Sequence, residues 1–204
     1  IESGQRVLDL GCGTGAVLTA MADAVGPSGL AVGADLTPAM LDLARARARG
    51  RSQVHLVELD ATDLLPFASE SFDCVCAIAL LQEVAAPRSL LEEIRRIIRA
   101  GGVFRGIATT YRTLCPAAEV HMAAVEQLPM FIRPLNTVAT MFMQIFGPAA
   151  ATRWLPLPGL SDPELLGRLI GQPFGPVISE IRAAGHDPAT VELGVLYMTG
   201  RRVG

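Results

Sequence analysis

A chain of 204 residues, half of them hydrophobic, is long enough to bury one substantial globular core. A net charge of −3 with no basic tract excludes a nucleic-acid binder, and no apolar run is long enough to span a bilayer. All 17 basic residues are arginine, which we take as compositional bias.

The four cysteines suit a reducing compartment better than a disulfide framework, and none has a cysteine or histidine partner at metal-ligand spacing. No metal site is expected. Nothing resembles a signal peptide, so the expected location is the cytoplasm.

The first element is Val7-Leu8-Asp9-Leu10, an apolar run that reads as a buried parallel strand. Gly11, Gly13 and Gly15 follow, where the backbone turns sharply and comes close to a ligand. Thr14 is placed to cap a helix over roughly 15–25. A strand, a glycine turn and a helix N-terminus together put a ligand at the carboxyl edge of the sheet. Gly11, Gly13 and Ala16 also satisfy the dinucleotide pattern G-x-G-x-x-A, so this turn alone does not choose between ligands. Asp9, two residues before the first glycine, favours a cationic amino group over a pyrophosphate.

Gly26-Pro27-Ser28-Gly29 is a turn, and Leu30 to Asp35 a second strand ending in a carboxylate. Asp35 stands about 20 residues past the glycine turn, at the spacing of the acid that accepts from ribose hydroxyls. Thr37-Pro38 opens the next helix. Val54 to Asp60 is a third strand with a third terminal acid. His55, in mid-strand, is structural.

Three stretches resemble one family. Val7-Leu8-Asp9-Leu10-Gly11-Cys12-Gly13-Thr14-Gly15 is similar to the first motif of class I S-adenosylmethionine-dependent methyltransferases. Asp35-Leu36-Thr37-Pro38-Ala39-Met40-Leu41 is similar to the second. Asp60-Ala61-Thr62-Asp63-Leu64-Leu65-Pro66-Phe67, running on to Ser71-Phe72-Asp73, resembles the most specific of the three, a pattern of the ubiquinone and menaquinone biosynthesis methyltransferases. The resemblance implies S-adenosylmethionine as cofactor. It implies a binding set of Asp9, Gly11, Cys12, Gly13, Gly15, Asp35, Leu36, Asp60, Ala61 and Ala77, with Asp60 accepting from the adenine amine. Members of the family usually carry helices before the first strand, so the chain is either a compact variant or lacks an N-terminal segment.

The fourth strand runs from Asp73 to about Ala79, with Cys74 and Cys76 on one face as small core residues. Gln82 and Glu83 then stand where many relatives carry histidines. Glu83 is a candidate base or acceptor. Ser89 to Arg99 is amphipathic, and Glu92, Glu93 and Arg96 read as a surface charge pattern. Ala100-Gly101-Gly102 ends that helix, and 103–109 is the fifth strand.

From Tyr111 to about Gly175 the resemblance fades. Met122, Met130, Phe131, Met141, Phe142, Met143, Phe146 and Trp154 suggest two or three helices broken at prolines. They form either a cover over an apolar substrate or a homodimer interface. Tyr111 and Arg112 follow strand five at the carboxyl edge. Glu119, His121 and Glu126 cluster near the start of this stretch, with His121 a candidate general base. Residues 176–184 read as a last helix ending at Gly185, with His186 in the turn. Strands over 190–193 and 195–202 close the sheet as a hairpin about Gly194.

The expected architecture is α/β: a Rossmann-like, mostly parallel seven-stranded sheet with helices on both faces. The expected divisions are a cofactor-binding core over 1–110, a helical cover over 111–175, and a closing helix and hairpin over 176–204. The resemblance implies methyl transfer to a small, largely apolar acceptor, with His121, Glu83 and Gln82 as catalytic candidates and no membrane span. A methyltransferase-like protein that does not transfer methyl, a structural partner using the apolar insertion for assembly, and a nicotinamide-dependent oxidoreductase are the rivals. The last leaves Asp60 and the Leu65-Pro66-Phe67 stretch without a role.

Overall fold

A computed structural model describes residues 1–62, 64–81, 83–84, 86–113, 135–156 and 191–203. Arg6–Leu10 (β1) is buried on both faces from Val7 onward, as an apolar run without turn residues must be in mid-sheet. It pairs in parallel with Leu30–Asp35 (β2) and with Phe72–Ile78 (β4). Val54–Glu58 (β3) lies outside β2, and Ile98–Thr113 (β5) beyond β4. Val191–Arg201 (β7) is antiparallel to β5, and Ala150–Pro156 (β6) is antiparallel to β7. The sheet thus has seven strands in the order β3-β2-β1-β4-β5-β7-β6, and only β7 opposes the rest. The expected mostly parallel seven-stranded sheet is what forms.

Ala16–Val25 (α1) and Pro38–Arg47 (α2) cover one face. Leu18, Met21, Ala22 and Val25 of α1 and Leu41 of α2 pack with Val7, Cys12, Ala31, Cys74 and Cys76. Pro87–Ile97 (α3) and Leu135–Phe146 (α4) cover the other. Leu90, Leu91, Ile94 and Ile97 recur at helical spacing on α3, and all are buried. Phe104 of β5 meets Phe142 and Phe146 of α4 at ring-centroid distances of 5.7 and 5.6 Å, and those two lie 4.8 Å apart. Gly200 of β7 makes room for them, because a Cβ there would stand 2.6 Å from the Phe146 ring.

Three boundaries differ from expectation. Helix α1 starts at Ala16 with Gly15 as its N-cap, and no side chain caps it. Thr14 instead receives the Arg47 guanidinium, Nη1 donating to its carbonyl (3.0 Å) and its Oγ1 (2.9 Å). Strand β5 starts at Ile98, directly after α3, and carries Gly101 and Gly102 within it through a register shift against β4.

The third difference is the closing hairpin. Residues 191–201 form one strand, in which Gly194 pairs with both Thr110 and Pro156, and the partner strand comes from 150–156. Ala-Ala-Thr-Arg-Trp-Leu-Pro has no alternation to announce a strand. Its pairing to β7 makes it one, at the sheet edge where a terminal proline is tolerated. The stretch read as a cover thus supplies the end of β5, α4 and β6 to the sheet and its layer. Gln82, Asp63, Cys115, Glu119, His121, Glu126, Met122, Met130, Phe131, residues 176–184, Gly185 and His186 lie outside the described residues.

At the amino edge of the sheet, arginines close the structure. Arg202 Nη1 donates to the carbonyls of Arg95 (3.3 Å), Arg96 (3.0 Å) and Ile98 (2.6 Å), satisfying carbonyls at the end of α3, while Nη2 reaches Glu70 Oε1 (2.8 Å). Asp73 accepts from the Arg6 amide (2.7 Å) and pairs with Arg99. Burial would raise the Asp73 carboxyl, but the Arg6 amide and Arg99 outweigh it and hold the group below its usual range.

Candidate cofactor site at the carboxyl edge

The site grows from the end of β1. Gly11, Gly13 and Gly15 have φ of 73°, 52° and 78°, so each sits in the left-handed region that disfavours a side chain. Two of them are also hemmed in. A Cβ on Gly11 would stand 3.2 Å from Leu80, and one on Gly15 would stand 3.1 Å from the Ala44 backbone. A Cβ on Gly13 would meet nothing within 4 Å. That glycine borders open space, as the wall of a ligand cradle does.

Below the turn lies Asp9, 1% exposed, with Oδ2 buried and without a hydrogen-bond partner. A buried carboxylate oxygen with no donor is costly, and a cationic donor is the group that would satisfy it. Loss of hydration raises the Asp9 carboxyl to about 6. The nearby Asp35 charge adds to the rise, and the Leu18 amide opposes it.

Asp35, at the end of β2, is joined to this turn. The Gly13 amide donates to its Oδ2 (2.8 Å) and the Thr37 amide to its Oδ1 (2.9 Å), which also fixes the start of α2. A carboxylate has about four acceptor positions, so lone pairs remain for further donors. Leu36 beside it is 59% exposed, an apolar side chain on the rim. At the end of β3, Asp60 Oδ1 accepts from the amide (2.8 Å) and hydroxyl (2.7 Å) of Thr62, which hold its carboxyl below the usual range. The Leu59 amide donates to the Asp35 carbonyl (3.0 Å), which ties this strand end to the previous one. Three carboxylates therefore stand at three successive strand ends around one glycine turn.

Other expected site residues lie apart from the open rim. The Cys12 thiol is turned into the core under α1, and burial, followed by the charges of Asp9 and Asp35, pushes it up to about 12. Ala77 is fully buried, and Ala61 is partly buried against the α3-side core. Glu83 lies in the turn after β4, its amide donating to the Leu80 carbonyl (2.8 Å), and partial desolvation raises its carboxyl. His55 is exposed on edge strand β3.

Two features escaped the sequence. Ala79 holds φ of 57°, a conformation that costs an L-residue roughly 1–2 kcal/mol. It directs the chain so that Leu80 packs against Gly11, forming a wall of the turn. No residue type announced it, since alanine is not the residue expected at positive φ. The other is the hold of the Glu93–Arg96 pair on the loop after Asp60, described below.

Among the described residues no cluster of histidine, cysteine, aspartate or glutamate could hold a metal, and no helix is long and apolar enough to cross a membrane. The carboxylates and the glycine cradle instead fit an organic ligand with a cationic amino group, vicinal hydroxyls and an amine-bearing base. S-adenosylmethionine carries these groups.

Comparison with known proteins agrees. Residues 8–105 match the family model described as a methyltransferase domain. The demethylmenaquinone methyltransferase of Clavibacter sepedonicus is 42% identical over 101 residues, covering 49% of this chain and 39% of that protein. The chain spans less than half the length of the first curated relatives it matches.

Among solved structures, the YcgJ protein of Bacillus subtilis superposes with a TM-score of 0.72 at 20% identity, covering all of this chain and 94% of that one. The [4+2]-cyclase SpnF superposes with a TM-score of 0.65 at 20% identity, covering all of this chain and 78% of its own. At such identities these two speak for the fold. Residues 8–105, just under half of the chain, are thus similar to a methyltransferase domain, and the curated relatives matched there include the demethylmenaquinone methyltransferases.

Proposed function

We propose that the protein binds S-adenosylmethionine at the carboxyl edge of β1–β3 and transfers its methyl group to a small, largely apolar acceptor. The observation that carries this reading is the unpartnered, buried Asp9 oxygen beneath a glycine turn that is open at Gly13. In this reading Asp9 holds the amino group of the methionine moiety, and the turn at Gly11, Gly13 and Gly15 lets the backbone approach. Asp35 accepts from the ribose hydroxyls, Asp60 accepts from the adenine amine, and Leu36 lies along the base. Cys12, Ala61 and Ala77 contribute backbone and packing.

The bound cofactor supplies a methyl group on a positively charged sulfur, already activated for in-line displacement. Positioning and exclusion of water are then the main work left to the protein. Where the acceptor loses a proton, Glu83, whose carboxyl is raised by partial desolvation, takes it. His121 is the further candidate for that step, and Gln82 is a candidate to hydrogen-bond the acceptor. The apolar insertion is proposed as the acceptor's cover, with a homodimer contact as its other use. The likeness of this chain to curated demethylmenaquinone methyltransferases supports a small-molecule acceptor.

The test is calorimetric titration with S-adenosylmethionine and, separately, with NADPH, on wild type and Asp35→Ala. Saturable binding of the first alone, weakened at least about tenfold in the variant, is expected. Binding of NADPH alone would sink this reading. A second reading, a protein of this fold that works without methyl transfer, is favoured by Gln82 and Glu83 standing where relatives carry histidine. Tight cofactor binding with no methylated product from any quinol or phenol acceptor would select it.

A further inference from the structure

The loop that follows Asp60 is held by a charged pair on α3. Arg96 Nε donates to Glu93 Oε1 (2.8 Å) and Nη2 to Glu93 Oε2 (2.8 Å), a bidentate pairing. The same guanidinium donates from Nη2 to the Leu65 carbonyl (3.0 Å), and from Nη1 to the Phe67 carbonyl (2.9 Å) and Ser69 Oγ (3.3 Å). All five guanidinium N–H groups are thereby used. Glu93 Oε2 also accepts from the Leu65 amide (3.1 Å), so both backbone polar groups of Leu65 are held by this pair.

A solvated surface pair would leave most of those donors to water. This one spends three of its five on loop residues 65–69. The Leu65 side chain is fully buried, and the Phe67 ring meets Phe72 edge-on at 5.2 Å. At the loop's start the Leu59 amide ties the backbone to the Asp35 carbonyl, while the Asp60 carboxylate takes its aim from Thr62, which belongs to the same loop.

We propose that Glu93 and Arg96 are positioning residues for the adenine end of the cofactor: by fixing Leu65 and Phe67 they hold the loop that presents Asp60 to the base. This rests on the cofactor reading given above. Lysine at position 96 would keep the charge but offer three donors on one atom, without the planar fork that spans Glu93 and two carbonyls. The loop would then be anchored at its first end only, and Asp60 would lose its fixed aim.

The test compares S-adenosylhomocysteine with its hypoxanthine counterpart, S-inosylhomocysteine, which lacks the amine that Asp60 accepts. Both are titrated calorimetrically into wild type, Arg96→Lys and Glu93→Gln. Wild type is expected to prefer the adenine form by at least about tenfold. Arg96→Lys lowers affinity for that form about tenfold and leaves the inosyl form within about twofold, so the preference collapses. A purely structural role would lower the melting temperature and leave the ratio unchanged, and that result overturns the proposal. Should Arg96→Lys fail to fold, Glu93→Gln, which keeps the shape and loses the charge, carries the same expectation at about threefold. Wild type that binds both forms equally also overturns the proposal while leaving the cofactor reading standing. Wild type that binds neither overturns both.

Discussion

The two edges of the sheet use the same residue types in opposite ways. At the amino edge each of the carboxylates Asp73 and Glu70 meets an arginine, Arg99 and Arg202 respectively. At the carboxyl edge Asp9, Asp35 and Asp60 meet backbone amides, a hydroxyl or nothing, and among the described residues no arginine pairs with them. The first arrangement is complete within the chain. The second leaves acceptors over, at a cost the fold bears elsewhere, and a ligand completes it. The aromatic packing of β5 and α4 lies on the self-contained side of this division.

The division is broken if stability and binding cannot be separated, and the largest effect expected is on stability alone. Phe142→Ala opens a cavity between Phe104 and Phe146 and should cost about 3–5 kcal/mol, measured by urea unfolding. Affinity for S-adenosylmethionine at a temperature where the variant is folded should stay within about twofold of wild type. A matching loss of affinity would mean that the two regions are one cooperative site.

Asp9→Asn should do the reverse. Removing a desolvated charge partner costs at least about 30-fold in affinity. The apo protein should gain stability at pH 7.5, because the ionised carboxylate is buried without a partner. The pH dependence follows from a folded value of about 6 against 3.8 for the free group. The folded state holds the proton more tightly, so the contribution of Asp9 to stability is greatest below about pH 4. It falls as pH rises to about 6, by roughly 3 kcal/mol in all, and is level above that. Asp9→Asn should lack this slope in melting temperature between pH 4 and 6. Cofactor affinity in wild type should weaken below pH 6, as the carboxylate takes up a proton. A wild-type melting temperature that does not fall relative to that of Asp9→Asn across this range would refute the assignment.

A smaller effect, of about 1–3 kcal/mol, is expected from Arg202→Met, which strips the donor from carbonyls at the end of α3. Its affinity should be unchanged. A loss of affinity there would show that the amino edge is coupled to the site after all.

How much was legible in the sequence follows the same division. The glycine turn, Asp35 and Asp60 were readable because each sits at the end of a short apolar run, and position along a strand is a local property. Glu93 and Arg96 were visible only as a helical pair, since the partners that give them a role are backbone atoms nearly 30 positions earlier. Strand β6 was missed because nothing in Ala150–Pro156 alternates, and its pairing with β7 lies some 40 positions on. Gly194 looked like a hairpin link because a glycine between two apolar runs signals a turn. The ladder to Thr110 and Pro156 overrides that signal.

The three thiols of Cys12, Cys74 and Cys76 lie together in the cluster beneath α1, under the glycine turn. With Cys115 replaced by serine, the rate at which a thiol-reactive dye modifies the native protein becomes a clock for the opening of that half alone. The β1–β3 region thus carries its own chemical reporter, while the described core under α3 and α4 holds no cysteine and stays silent to the same dye.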